Sequence, residues 1–161
     1  IFDFVECAKA NPDIQFLWVG GFNFGKFMEG YNEVKNIYEN PPKNLKFSGI
    51  VPREEVNILC NISDVFFLPS YVESFALVAI EAANTHKPIL LRDIKVYKNL
   101  YFDKYLKGNN NDDFNKILRK LKNNKTFYDE YKNNSIYISN YYNENSIYKK
   151  WLELYIKICK I

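Results

Sequence analysis

Four short apolar runs alternate with four segments of helical periodicity through the first two-thirds of the chain, and that order restricts the fold more than any other feature. The runs "IQFLWVG" (14–20), "LKFSGIV" (45–51), "DVFFLPS" (64–70) and "PILLRD" (88–93) are rich in aromatic or branched residues and bounded by Gly, Pro, Ser or Asp. Those are the marks of strands. Apolar residues on both faces of such runs predict strands covered on both sides. Between them, "FDFVECAKAN", "FGKFMEGYNEVKNIYEN", "REEVNILCNI" and "SFALVAIEAANT" place apolar residues near helical spacing. The first of these ends at Asn11-Pro12, because proline cannot continue a helix. Strand and helix in regular succession predict an α/β fold with a doubly wound parallel sheet.

From Asn109 the texture changes: no strand signal remains, and about three helices are expected between Asn-rich turns, with Asp112 or Asp113 capping the first. The expected organisation is therefore residues 1–108 as an α/β domain and residues 109–161 as helices packing on that same domain. A chain of 161 residues suits one domain with its own core. The composition, 47% hydrophobic and 25% charged, is too apolar for disorder. A net charge of +3 with dispersed lysines does not indicate nucleic acid as a partner. The three cysteines, Cys7, Cys60 and Cys159, are odd in number and lack metal-ligand spacing, which predicts reduced thiols in a cytoplasmic protein. No run is long enough for a membrane span, and the start has neither the flank nor the cleavage site of a signal peptide. It also lacks an initiator Met, so the chain is expected to be part of a larger protein.

The stretch "FLPSYVESFALVAIEAANTHKPILL" (67–91) holds two acids, Glu73 and Glu81, around small and apolar residues. In an open parallel sheet, ligands sit outside the carboxyl ends of the strands. Glu73 is expected in that crevice, on the loop after the strand ending near Pro69, with a helix starting near Phe75 or Ala76. Free amides from about Ser74 to Val78 would suit a phosphate, and Glu81, about two turns in, could accept hydrogen bonds from a ribose diol. A plainer reading makes Glu73 a first-turn acid that stabilises the helix by about 0.3 to 1 kcal/mol. Glu81 resists the plain reading, since an acid in so apolar a helix is costly if buried without partners.

These residues carry a resemblance. "PSYVESFALVAIEA" resembles the E-x7-E signature of retaining glycosyltransferases of the two-domain GT-B fold, family 4 in particular, usually close to "PS-x-x-E-G-F-G-L-x-x-x-E-A". "LKFSGIVPREEVNILCNISDVFFLPS" is similar to the family's "V-x-F-x-G-x-V" strand, loop and "A-D-V-F-x-x-P-S" strand, and "THKPIL" stands where members have "SGKPVV". The similarity covers about residues 1–92. With "KPILLRDIKVYKNLYFDKYLKG", the chain most resembles bacterial enzymes that glycosylate diacylglycerol.

The resemblance implies a Rossmann-like domain, the C-terminal half of a GT-B fold, with its first strand missing. It implies that Glu73 contacts the donor sugar and supports charge in the transition state, that Glu81 holds the ribose, and that amides around Ser74, Phe75, Ala76 and Leu77 approach sugar and diphosphate. Gly20 and Gly21 would mark a close approach of backbone to the nucleotide, and the loop Ile50, Val51, Pro52 and Arg53 would receive the base. The implied donor is a nucleotide sugar, UDP-glucose in the first instance. No metal and no further cofactor are expected. The implied partners are an N-terminal acceptor domain of the same parent protein and, through it, the inner face of a membrane. Ser74 and Ala76 replace the usual glycines, which narrows the space above the phosphate. The Gly-Arg strand, Lys and catalytic-site His of related enzymes have no counterpart here, and His86 in "NTHKP" reads as a turn residue. Lys26, Arg53 and the tail aromatics have plain readings as surface cations and core. Two rivals stay open: a non-catalytic partner subunit on this fold, and a sugar-nucleotide epimerase or hydrolase.

Overall fold

Each of the four expected apolar runs forms a parallel strand in the computed structural model, which describes residues 1–21 and 30–159. These strands are β1 (Phe16–Val19), β2 (Leu45–Gly49), β3 (Phe66–Leu68) and β4 (Ile89–Arg92), followed by a fifth, β5 (Leu106–Gly108), that the sequence pattern did not announce. The helices are α1 (Phe2–Ala10), α2 (Tyr31–Glu39), α3 (Arg53–Ile62), α4 (Leu77–Ala83), α5 (Lys95–Tyr101), α6 (Asn111–Asn123), α7 (Lys125–Tyr142) and α8 (Glu144–Cys159). Lys26, and the first part of the helix expected over residues 24–40, lie outside the described residues.

The strands form two ladders, β1 with β2 and β3-β4-β5, parallel throughout. The chain thus steps outward from β1 to β2 and then resumes on the other ladder, the reversal at which such sheets bind ligands. Phe4 of α1 spans both ladders, edge-on to Phe16 and Trp18 of β1 and stacked on Phe67 of β3, with ring centroids 5.2–5.3 Å apart.

The core has two sides, as a doubly wound sheet requires. Leu90 of β4 and Leu106 face a cluster built from Phe4, Val5 and Ala8 of α1 and Phe114, Leu118 and Leu121 of α6. The neighbours of Leu90 in β4, Ile89 and Leu91, point the other way, into a cluster with Ala79, Ile80 and Ala83 of α4 and Ile138 of α7. That is the period of two of a strand covered on both faces. Full burial holds for β4 only; β1, β2 and β3 carry half-buried positions. Gly108 is required at the end of β5, since a Cβ there would meet the Phe114 ring at 2.4 Å.

Polar side chains close the helix ends. Asn44 Nδ2 reaches the carbonyls of Ala8, Asn11 and Ile14 at 2.8–3.0 Å and so satisfies the end of α1. The cap of α6 is Asn110, not Asp112 or Asp113: its side chain accepts from the Asp113 amide at 3.0 Å, while the Asp113 carboxylate accepts from the Asn109 amide at 2.9 Å. Asp113 is the third-position partner of a reciprocal cap, which is why its acidity alone pointed one turn too far in. Asn124 and Asn143 cap α7 and α8 in the same way. Aromatics of α6 and α7 enter the core as expected, whereas α8 buries no residue and leaves Tyr148, Trp151 and Tyr155 exposed. Helical spacing shows that a face is apolar; what covers it depends on the surface opposite.

Candidate functional site

Within each ladder the strands are parallel, so their carboxyl ends lie together, and the candidate residues follow those ends. After β1, Gly20 takes φ 135°, a backbone that favours glycine, and its amide donates to Gly49 O at 3.1 Å across to the end of β2. A Cβ on Gly21 would meet Ile50 Cγ1 at 3.0 Å and the Ile50 amide nitrogen at 3.3 Å, so the crests of β1 and β2 lie close together. Glycine is favoured at position 20 by its φ and at position 21 by the tight space. Val51 and Pro52 lead directly into α3, whose first residue is Arg53.

Arg53 does not stand as an isolated surface cation. Its Nη2 donates to Glu81 Oε1 at 3.0 Å, joining the start of α3 to the middle of α4. The pair is open to solvent, with the Glu81 side chain 41% and the Arg53 side chain 87% exposed. Glu81 is therefore not buried, and the cost of a buried carboxylate without partners does not arise. Arg53 engages one of the two carboxylate oxygens, Oε1.

The loop after β3 carries Glu73, half-buried, then Ser74 and Phe75, both exposed. The helix starts at Leu77, one to two residues later than expected, with Ala76 as its cap. The delay has a backbone cause: Ala76 sits at φ 49°, ψ 57°, outside the right-handed helical region. That conformation costs a residue with a Cβ about 1–2 kcal/mol. The position is the one where the resembling family usually has its second glycine, so that glycine is explained by φ as much as by space. Phe75 and Ala76 therefore belong to the loop, and the first helical amides are those of Leu77 and Val78.

Two buried side chains hold this loop, and neither was singled out from the sequence. Arg92, at the carboxyl end of β4, is 6% exposed. Its Nε donates to Pro69 O at 3.1 Å, Nη1 to Asn109 O at 2.6 Å, and Nη2 pairs with Asp3 at the start of α1. Its guanidinium also lies 3.7 Å from the ring centre of Tyr71. One cation thus ties the ends of β3 and β5 to α1 beneath the Glu73 loop. A charge closing the apolar run "PILLRD" was a readable signal that this arginine is buried and paired. Tyr101 of α5 is fully buried, and its hydroxyl lies 3.0 Å from both Phe75 O and Ala76 O. Burial, then the neighbouring tyrosines and Glu73, push its ionisation upward, so it stays a neutral donor. Nothing in the sequence marked it apart from other tyrosines.

Burial pushes the Cys7 thiol up to about 12, which keeps it unreactive. All three cysteines are free. His86 is an exposed turn residue at φ 58°. Among the described residues, no group of three or more His, Cys, Asp or Glu is arranged to hold a metal ion.

Three comparisons bear on this arrangement. The profile of the family described as "Glycosyl transferases group 1" matches residues 4–137. The chain is 38% identical over 155 residues to the alpha-galactosylglucosyldiacylglycerol synthase of Streptococcus pneumoniae (strain ATCC BAA-255 / R6), covering 96% of this chain and 41% of that protein. It is 36% identical over 123 residues to the processive diacylglycerol alpha-glucosyltransferase of Acholeplasma laidlawii, covering 75% of this chain and 36% of that protein. The chain therefore spans about two-fifths of the length of the curated relatives it matches. Among solved structures, sucrose-phosphate synthase from Thermosynechococcus elongatus superposes with a TM-score of 0.80 at 17% identity, over 98% of this chain and 42% of that one. Anabaena Alr3699/HepE, solved in complex with UDP and glucose, superposes with a TM-score of 0.78 at 16% identity, over 95% and 43%. At such identities the superpositions establish the fold.

Proposed function

The chain belongs to the group 1 glycosyl transferases, and on that premise we propose that it is the donor-binding, C-terminal part of a longer retaining enzyme. In this reading the enzyme moves a hexose, glucose from UDP-glucose, to a hydroxyl of a diacylglycerol-type lipid. The names of both curated relatives contain diacylglycerol and an alpha linkage, and the HepE structure contains UDP and glucose. UDP-glucose is itself an α-anomer, so an α-linked product corresponds to retention.

Glu81, steadied by Arg53 through one oxygen, holds the ribose diol with the other. Gly20 and Gly21 let backbone approach the nucleotide, and the loop through Val51 receives the base. Amides of Ser74, Phe75, Ala76 and Leu77 face the diphosphate and the sugar, and Glu73 faces the sugar hydroxyls. The bond from the anomeric carbon to the phosphate oxygen breaks, and the bond to the acceptor oxygen forms on the same face. The acceptor's proton passes to the departing phosphate oxygen. Donors and charges aimed at that leaving group supply much of the rate enhancement. A lipid acceptor would bring the longer protein to the cytoplasmic face of a membrane; among the described residues no helix is long and apolar enough to cross one.

The observation that carries this reading is the meeting of Arg53 and Glu81 on the helix that follows Glu73 at the carboxyl edge. It is tested by incubating the full-length protein with UDP-glucose and diacylglycerol vesicles and determining the anomeric linkage of the product by NMR. Parallel arms use glucosyl-diacylglycerol as acceptor and UDP-galactose as donor. An α-linked glycolipid is expected; a β-linked product, or no transfer to any lipid, would overturn the proposal.

A further inference from the structure

Glu73 and Glu81 lie on opposite sides of a single backbone turn at Phe75 and Ala76, so any rotation there swings one acid relative to the other. Ala76 occupies a left-handed conformation at φ 49° that its Cβ disfavours, and the turn therefore needs a hold from outside. Tyr101 supplies one. Its hydroxyl proton is shared between two consecutive carbonyls, each at 3.0 Å: Phe75 O, the last of the loop, and Ala76 O, which also receives the first helical bond from the Ala79 amide at 2.9 Å. The ring is anchored in a cluster with Tyr97 and Tyr105, centroids 5.5 and 5.9 Å away. Those two tyrosines bury hydroxyls with no hydrogen-bond partner among the described residues, so the direction taken by Tyr101 is specific to the turn.

We propose that Tyr101 is a positioning residue for sugar transfer: its hydroxyl fixes the turn at Phe75 and Ala76 and thereby sets Glu73 against the ribose-binding side of the crevice. The inference rests on the reading of this loop as the donor site. A tyrosine that merely found the nearest acceptors would contribute to stability and leave turnover untouched. The two cases separate because Glu81 sits on the helical side of the turn and Glu73 on the loop side.

The experiment uses the full-length protein, with kcat, KM, melting temperature and nucleoside-diphosphate affinity measured on Tyr101→Phe, Tyr142→Phe and Glu73→Gln. Tyr101→Phe keeps the ring and removes the hydroxyl; kcat is expected to fall about 10- to 100-fold, the size of effect that a small misplacement produces, with UDP affinity by calorimetry little changed. Tyr142→Phe removes a hydroxyl bonded to Leu100 O at 2.7 Å, not to either turn carbonyl, and keeps the ring that packs edge-on against Phe75 at 6.4 Å; it is expected to keep normal kcat. Normal turnover in Tyr101→Phe, or a loss no larger than that in Tyr142→Phe, overturns the positioning role. If Glu73→Gln is impaired in the same assay, only this inference fails; if Glu73→Gln is also normal, the reading of the site fails and takes the inference with it.

Discussion

Arg53 and Glu81, 28 positions apart in sequence, meet at 3.0 Å across the start of α3 and the middle of α4. An ion pair this open contributes about 0–1 kcal/mol to stability, so its consequence is orientation: it holds the Glu81 carboxylate through Oε1. Glu81→Gln is therefore expected to fold and melt nearly as the native protein does. It should weaken UDP by about one to two orders of magnitude, the equivalent of a charged hydrogen bond of about 1.5–3 kcal/mol. Titration calorimetry on the full-length protein reads this directly, and unchanged affinity would remove Glu81 from the nucleotide.

Glu73 lies before the strained turn, on the loop side of the crevice. If it faces the reacting sugar, Glu73→Gln leaves UDP affinity nearly intact and lowers kcat, because interactions stronger in the transition state than in the ground state appear in the rate. The helix starts at Leu77, so Glu73 is not a first-turn acid; if it is only a half-buried loop acid, its loss alters stability with turnover unchanged. Melting temperature, UDP affinity and kcat on one mutant discriminate the two, and normal kcat with a lower melting temperature would favour the second.

How much of this was legible depended on the length and chemistry of each segment. β1 to β4 were visible because branched and aromatic runs of six or seven residues stand out between turn residues. β5 escaped because three residues, Leu106 to Gly108, carry no alternation to read. α5 escaped for a related reason: in seven residues its buried face amounts to Tyr97 and Tyr101, with lysines around them. Glu73 and Glu81 stood out as candidates by their spacing, whereas the pairing of Arg53 with Glu81 did not, since nothing local in a sequence joins position 53 to position 81. The left-handed Ala76 had a signal, the glycine usual at that position, but its absence read as lost space and not as backbone strain.

Arg92 gives a stability prediction of a different size. Its guanidinium satisfies Pro69 O, Asn109 O and Asp3 at once from a buried position. Arg92→Met removes the cation and leaves a half-buried carboxylate and two carbonyls without it, a loss expected at about 3–5 kcal/mol. Arg92→Lys should recover little of this, because a single ammonium cannot point along the three directions the fork serves. Denaturant unfolding of the chain measures both, and a lysine variant with native stability would show that charge alone, without the fork, holds the three ends together.

The tether between α6 and the turn after α1 should respond to acid. Asp13 accepts from Lys122 and from Arg119, at 2.5 and 2.6 Å, and these bonds, Lys122 first, lower its carboxyl from 3.8 to about 2. A folded-state value below the unfolded one, about 3.9, means that the folded chain favours the charged form. The resulting stability is fully present above the unfolded value and is lost as pH falls toward 2. Asp13→Asn should therefore unfold at lower denaturant than the native chain at pH 7, with the gap about half gone at pH 3 by the same linkage. Because the pair is exposed, 1 M salt, with a screening length of about 3 Å, should shrink the gap at neutral pH as well. Unfolding midpoints for both proteins at pH 7, 5 and 3, with and without salt, test this; a gap that ignores pH would mean that Asp13 acts through its shape and packing and not through its charge.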